Sequence, residues 1–461
     1  MARAVAAAGA LLAILTGAGA AGAQETPSRC RVQVVSVGGS GRIVEGGAGG
    51  GAAYFAGGGV KLRCLGQNVT MESDSVAAYT NGDVDFIGRM RYRDSTLALD
   101  AARGTYRKVG EVWEARGDVL ARNLETGSTI RGPSIDFLRA ASGLRDSSEV
   151  FATGRPTVEY FEEDSATAKP EPYRIVSDRL RSRGKSLIWA AGQVRIDRSD
   201  LAARGDSMRL DTGAGDDGTL IGRAVFNGLG ADSFALSGSR IDFSLDRRQL
   251  DDVLASERAH LVRGDWDLVA DTISLDLESR KVVGMLAWGH GMRPNARSDR
   301  HAVRADSVAF DLPDEMLRQV RAFGGAWVAG AVDSASGERD WLAGDTVIAD
   351  FVRREPADSG RGKSALTRLH GRHDARSFHT EAPRTPGGRP SLAYVKGAAI
   401  TIVMQSGAGE EVERVDVQGQ VEGINLQPDS TASAAGSRLP GTPPPTAKPA
   451  PPAAPAGGAP K

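Results

Sequence analysis

The chain has 461 residues, enough for several ordinary domains or for one elongated array of repeats. Aromatic residues make up 5% of it and glycine contributes 58 residues, so a large compact core is poorly supplied and narrow layers that bury one another are favoured. The 57 basic and 58 acidic side chains nearly cancel and are spread along the chain, without the basic stripe that nucleic-acid binding needs. Nucleic acid is therefore not an expected partner.

The first 23 residues have the pattern of a signal peptide. Arg3 supplies a positive charge, a short apolar run follows, and the small residues Ala21–Ala23 form a cleavage motif before Gln24. The apolar run is short for a membrane span, although an N-terminal membrane anchor remains the alternative. We expect an exported, soluble chain in the periplasm, with outer-membrane association as an option.

The two cysteines, Cys30 and Cys64, are predicted to form one disulfide. Both are flanked by β-like sequence, and an exported protein with two such thiols commonly pairs them. Two free thiols remain the alternative. Because no Cys-x-x-Cys motif is present, the pair is predicted to hold the end of the array together and to have no redox role.

A repeating unit occupies the middle of the chain. An Asp-Ser/Thr step is followed by an apolar strand with a spacing of two, a short polar turn and a returning strand, which indicates antiparallel hairpins and argues against helices. A parallel β-helix fits less well. The aspartates are predicted to form turns at strand ends, where their side chains would bind local backbone N–H groups. The clearest copies are at Asp178, Asp206, Ser239, Asp271, Asp306 and Asp345.

Changes in composition divide the chain into regions. The predicted regions are a signal peptide (1–23), an N-terminal β-repeat region (24–160), a central β-repeat region (174–352), a loop insertion (353–390), closing β-strands (391–428) and a disordered Pro/Ala-rich tail (429–461).

Three features of the sequence could suggest chemistry, and each has a simpler interpretation. Ala357–Ser364 matches a loose phosphate-loop pattern but lacks the preceding strand and the following helix. His370, His373 and His379 lie in the predicted loop insertion, where nothing would hold them in a metal-binding geometry. No catalytic triad or paired carboxylates stand out. We expect no enzyme activity, no cofactor and no metal.

Two of the repeat stretches carry a family resemblance. "GGGVKLRCLGQNVTMESDSVAAYTNGDVDFIGRMRYRDSTLALDA" at Gly57–Ala101 and "LIWAAGQVRIDRSDLAARGDSMRLD" at Leu187–Asp211 resemble the OstA-like, or lipopolysaccharide-transport periplasmic (organic solvent tolerance-like N-terminal), domain family. "VQGQVEGINLQP" at Val417–Pro428 resembles the closing strand of long members. The resemblance covers most of residues 54–428, and the chain departs from the shortest members by its length.

The resemblance implies a fold and a function. The fold is all-β, an elongated open β-jelly-roll of stacked antiparallel strands that forms a V-shaped trough. The function is non-enzymatic carriage or bridging of lipopolysaccharide, or a related envelope lipid, in outer-membrane biogenesis. Edge pairing would join the chain to other transport components, with head-to-tail self-association as an option. The residues predicted to line the groove are Ile241, Phe243, Ile273, Leu275, Val308 and Phe310, which alternate with Asp242, Ser274 and Ala309 on the opposite face.

The sequence does not exclude two other classes of function. An exported β-repeat scaffold or adhesin would need no groove. A carbohydrate-active β-repeat enzyme would need carboxylates clustered on one face.

Overall fold

The structure is a computed structural model that describes residues 30–44, 53–141, 143–161, 171–184, 186–211, 217–230, 233–246, 249–278, 281–332, 339–354, 363–381, 390–405 and 412–427. The predicted signal peptide, the predicted tail and most of the phosphate-loop match lie outside the described residues. Within the described ranges, no helix is long and apolar enough to cross a membrane.

The described residues form one sheet of 28 strands, a single turn of 3₁₀ helix at Pro313–Glu315 and no α-helix. The strands are β1 (Val32–Val37), β2 (Gly41–Val44), β3 (Ala53–Cys64), β4 (Thr70–Tyr79), β5 (Val84–Arg93), β6 (Leu97–Arg107), β7 (Val112–Asn123), β8 (Thr129–Leu138), β9 (Glu149–Thr153), β10 (Thr157–Tyr160), β11 (Tyr173–Val176), β12 (Arg179–Arg183), β13 (Leu187–Arg198), β14 (Leu201–Asp211), β15 (Asp217–Gly228), β16 (Phe234–Asp246), β17 (Gln249–Arg263), β18 (Trp266–Glu278), β19 (Lys281–Trp288), β20 (Asn295–Arg297), β21 (Ala302–Arg304), β22 (Ser307–Asp311), β23 (Gln319–Val332), β24 (Arg339–Arg354), β25 (Lys363–Glu381), β26 (Ser391–Met404), β27 (Val412–Gln418) and β28 (Glu422–Leu426).

The sheet is an antiparallel meander in which each long strand pairs with its predecessor and its successor in the chain. Such pairing makes each hairpin a layer that pairs only with its neighbours along the sheet. The predicted strand, turn and returning strand are confirmed, as is the all-β class.

Each long strand bends near its middle, so the sheet has two arms. The clearest case is β18, whose Thr272–Glu278 half pairs with β19 while its Asp267–Val269 portion pairs with β20. Bulges mark the bend in the neighbouring long strands, as between Ser256 and Ala259, and a bulge bends the strand that carries it. We call the half of the sheet that contains β19 arm 1 and the half that contains β20 arm 2.

Aspartates of the repeat stabilise these bends. At one bend Gly88 and Arg89 both have positive φ, and Arg89 forms a 2.6 Å ion pair with Asp74 on the adjacent strand. A Cβ on Gly88 would lie 2.5 Å from the Asp74 carboxylate, so glycine is required there on both grounds. Arg223 and Asp206 repeat the pair at 2.7 Å.

The prediction that the repeat aspartates form turns at strand ends is therefore wrong for most copies. Only the looser copy at Asp94 behaves as predicted, since it accepts hydrogen bonds from the backbone N–H groups of Thr96 and Leu97 in the β5–β6 turn. The other aspartate copies lie at the bends: Asp206, Asp271 and Asp345 are within long strands, and Asp178 and Asp306 lie between two short strands.

The bend at Asp271 offers a test of this role. Asp271 accepts hydrogen bonds from the N–H groups of Met292 and Gly291, and these donors hold the pKa of its carboxyl below the usual range. A carboxyl whose folded pKa is depressed contributes stability that is present above its unfolded pKa and lost as pH falls through the folded value.

We expect Asp271→Ala to accelerate hydrogen exchange at Gly291 and Met292 at neutral pH. Asp299→Ala, in the exposed β20–β21 turn, is the control and should not change it.

The predicted loop insertion at 353–390 is largely wrong. β24 extends to Arg354, and Lys363–Glu381 forms the 19-residue strand β25, which pairs with β24 and β26. The sequence pattern does not indicate this strand, because three of its buried residues are Gly371, Ala375 and Ser377. These small residues give almost no apolar alternation.

A disulfide joins Cys30 to Cys64, as predicted, with 5.2 Å between the Cα atoms. It ties the start of β1 to the end of β3 in arm 2.

We expect the Cys30→Ala/Cys64→Ala variant to lose about 3–4 kcal/mol of unfolding free energy, measured by urea titration, because the bridge closes a loop of 34 residues. Free thiols in freshly isolated wild-type protein would contradict the bridge.

Candidate functional site: the interior between the arms

The residues predicted to line a groove lie in two adjacent rows on the inner face of arm 1. One row passes through Ile241, Ala255, Ile273, Ala287 and Val308, each directly opposite the next on neighbouring strands. The second row contains the remaining three candidates and passes through Phe243, Val253, Leu275, Met285 and Phe310. The alternating residues Asp242, Ser274 and Ala309 face the other side.

These rows are packed rather than exposed. Ile241, Ile273, Leu275 and Val308 have no exposed surface, Phe310 is 4% exposed, and Phe243 is partly buried against the same core. The first row alternates branched residues with alanine. Side chains thus fill the space between the arms, which we call the trough, whereas the alternation of apolar residues alone is compatible with an open groove as well as with a filled one.

Contacts across the central trough are made by rings. Phe226 of arm 2 lies 6.2 Å from Phe243 of arm 1, and Trp266 of arm 2 meets Phe310 of arm 1 edge-on at 5.7 Å. Farther along the chain, a Cβ on Gly371 of arm 1 would lie 3.2 Å from Leu342 of arm 2. The arms thus touch through apolar groups over this part of the fold.

A cluster of four aromatic rings closes the N-terminal part of the trough. Phe86, Tyr106 and Trp113 of arm 1 and Tyr92 of arm 2 form one ring cluster, in which Trp113 lies 4.8 Å from Tyr92 and 4.7 Å from Tyr106. All four are at most 2% exposed. Burial raises the pKa of Tyr92 and of Tyr106 well above the ordinary value.

A charged group sits beside this ring cluster. Among the described residues, Glu111 is the one Asp, Glu, Lys or Arg that is buried, at 2% exposure. Its carboxylate lies 3.8 Å from the guanidinium of Arg139, also on arm 1. The other terminal nitrogen of Arg139 donates a 3.2 Å hydrogen bond to Gln67 in the β3–β4 turn of arm 2. We call Glu111, Arg139 and Gln67 the clasp, because together they link the tips of the two arms.

In the part of the chain that the structure describes, no further strand pairs with either edge of the sheet. β1 and β2 both pair with β3 and form one edge, and β27 and β28 both pair with β26 and form the other. Apolar side chains are exposed at both, including Val34 at 59%, Ile43 at 63%, Ile424 at 62% and Leu426 at 60%. Soluble proteins normally cover or charge such edges.

The three histidines singled out in the sequence do not converge. His370 faces outward on arm 1 beside Thr401 and Arg372, His373 lies at the bend of β25, and His379 lies in arm 2. Within the described ranges, no group of three or more His, Cys, Asp or Glu residues could hold a metal ion.

No protein-family model matches the chain, and a comparison with curated proteins finds no match either. The fold and its interior define an all-β protein in which one bent antiparallel sheet encloses an apolar trough between two arms.

Proposed function

We propose that the chain is a non-enzymatic periplasmic lipid-binding protein of outer-membrane biogenesis, which carries or bridges lipopolysaccharide or a related envelope lipid along its trough. The observation that carries the proposal is the apolar interior shared by the two arms. Its buried residues form one core cluster that extends from the first strands to the last.

The filled trough is compatible with this role if the arms can part. An acyl chain that replaces a ring contact such as Trp266–Phe310 exchanges one apolar contact for another, so the hydrophobic free energy changes little. The ring contacts between the arms there are made by side chains, whereas the backbone ladder runs along the sheet and need not break. Lipid would therefore enter by separation of the arms.

The two edges support pairing with other components of the same kind. β1 and β2 run from arm 2 to arm 1, whereas β27 and β28 run from arm 1 to arm 2. The β1–β2 edge of one chain placed against the β27–β28 edge of another would thus continue the antiparallel alternation. Transport partners with similar edges, or a second copy, are the partners we propose.

The filled interior also favours the second candidate, an exported β-repeat scaffold or adhesin without lipid transport. A scaffold needs only a stable core, and the burial of Leu275 and Ile273 satisfies that need.

Lipid analysis of the intact chain distinguishes the two. We expect the protein purified from a Gram-negative envelope in mild detergent to retain lipopolysaccharide or another acylated envelope lipid, detected by mass spectrometry of the folded protein. A lipid-free chain under conditions that preserve lipid on a known carrier would favour the scaffold.

A further inference from the structure

The geometry points to a clasp, formed by Glu111, Arg139 and Gln67, that keeps the N-terminal part of the trough shut, so that the arms part for lipid only on its C-terminal side. The statement about where lipid enters rests on the proposed lipid carriage. The difference in how readily the arms part along the trough does not depend on any lipid.

The two regions close by different kinds of contact. Across the central trough the arms meet through Phe226–Phe243 and Trp266–Phe310, and an acyl chain can replace either ring partner. At the N-terminal end, separation of the arms would break the hydrogen bond between Arg139 and Gln67. An acyl chain offers no hydrogen-bond acceptor and no charge, so it cannot replace that contact.

The location of Glu111 strengthens the difference. Its side chain is 3% exposed and that of Arg139 is 17% exposed, so the pair has little access to water. A lipid tail inserted beside it would remove the remaining solvation of two charges, which is a large cost. The ring cluster next to it adds an apolar closure, because separation of the arms would also part Tyr92 from Trp113, whose ring centroids are 4.8 Å apart.

Hydrogen bonds from Arg145 reinforce the arm 1 side of the clasp. Arg145 donates hydrogen bonds to the backbone carbonyls of Arg139 and Gly110, at 2.6 and 2.9 Å. These bonds fix the segment that follows β8 against the β6–β7 turn, which carries Glu111. Arg139 is thus held in place to reach Gln67.

Thiol labelling can measure how readily each region parts. Ala115 and Ala255 are both inner-face residues of arm 1 with no exposed surface, and a cysteine at either position would be the one thiol outside the Cys30–Cys64 bridge. With an intact clasp we expect a maleimide to label Ala255→Cys at least about tenfold faster than Ala115→Cys. Adding Arg139→Met should accelerate labelling of Ala115→Cys about tenfold or more and leave Ala255→Cys unchanged.

Two further variants keep the test decisive. Gln67→Ala removes the bond between the arms without leaving Glu111 unpaired, and should act in the same direction if Arg139→Met does not fold. Lys61→Gln breaks an exposed ion pair with Glu72 and should change neither labelling rate. Equal labelling at the two positions, or labelling of Ala115→Cys that neither clasp variant changes, would overturn the clasp.

A photo-crosslinking amino acid then locates the lipid. In cells, we expect capture of lipopolysaccharide or another envelope lipid at Phe310 and not at Tyr92, and capture at both once Arg139→Met is present. Capture at Tyr92 as efficient as at Phe310 in the intact protein would overturn the exclusion of lipid. Capture at neither position, with the labelling difference intact, would reject lipid carriage while supporting the clasp.

Discussion

Replacing Leu275 with Asp should destabilise the folded chain by about 4 kcal/mol or more, because the carboxylate would be buried without a partner. Leu275 has no exposed surface and lies between Val253 and Met285 on the neighbouring strands. An open groove would have let the same carboxylate reach water at small cost. The free energy of unfolding, measured by urea titration, therefore reports directly whether the trough is filled.

Ala309→Asp is the matched control for this substitution. Ala309 faces the outer side of arm 1, opposite Leu286 and Arg321, so a carboxylate there stays solvated and meets a positive charge. We expect its effect to stay below about 1 kcal/mol. Equal effects of Leu275→Asp and Ala309→Asp would contradict the filled trough.

Removal of the Trp113 ring is the second change with a large expected effect. Trp113 is fully buried and contacts Phe86, Tyr92 and Tyr106, so Trp113→Ala should cost about 3–5 kcal/mol of unfolding free energy through lost contacts and a residual cavity. Circular dichroism during chemical unfolding measures the loss.

Trp288→Ala provides the comparison. Trp288 is 36% exposed on the outer face of arm 1, and we expect its removal to cost below about 1 kcal/mol. A loss at Trp113 no larger than that at Trp288 would show that the ring cluster does not hold the arms together.

The strands were predictable because apolar residues alternate along them. Ile273, Leu275 and their counterparts on neighbouring strands recur with a spacing of two, and the structure aligns them in rows on one face. Alternation reports which face is inward. It does not report what lies opposite that face, so a groove and a filled core have the same pattern.

The remaining features depend on contacts that local sequence does not encode. Gln67 and Arg139 are 72 residues apart, and their hydrogen bond exists only because the strands bend and bring the arm tips together. Asp followed by Ser or Thr predicts a turn because the pair is common at turns, whereas in the structure it marks the bend. The sequence pattern does not predict strand β25, because its buried residues include Gly371 and Ala375. Such small residues do not produce an apolar alternation, so their burial follows only from the tertiary structure.

Capture of lipid from the inner face tests the proposed function most directly. A photo-crosslinking amino acid placed at Phe243 or Phe310, on the inner face, should become bonded in cells to lipopolysaccharide or another envelope lipid. The same amino acid at the adjacent outward positions Asp242 or Ala309 should not, because a step of one residue reverses the face of the sheet. Capture that is equal on the two faces, or absent from both in a correctly folded protein, would contradict lipid carriage in the trough.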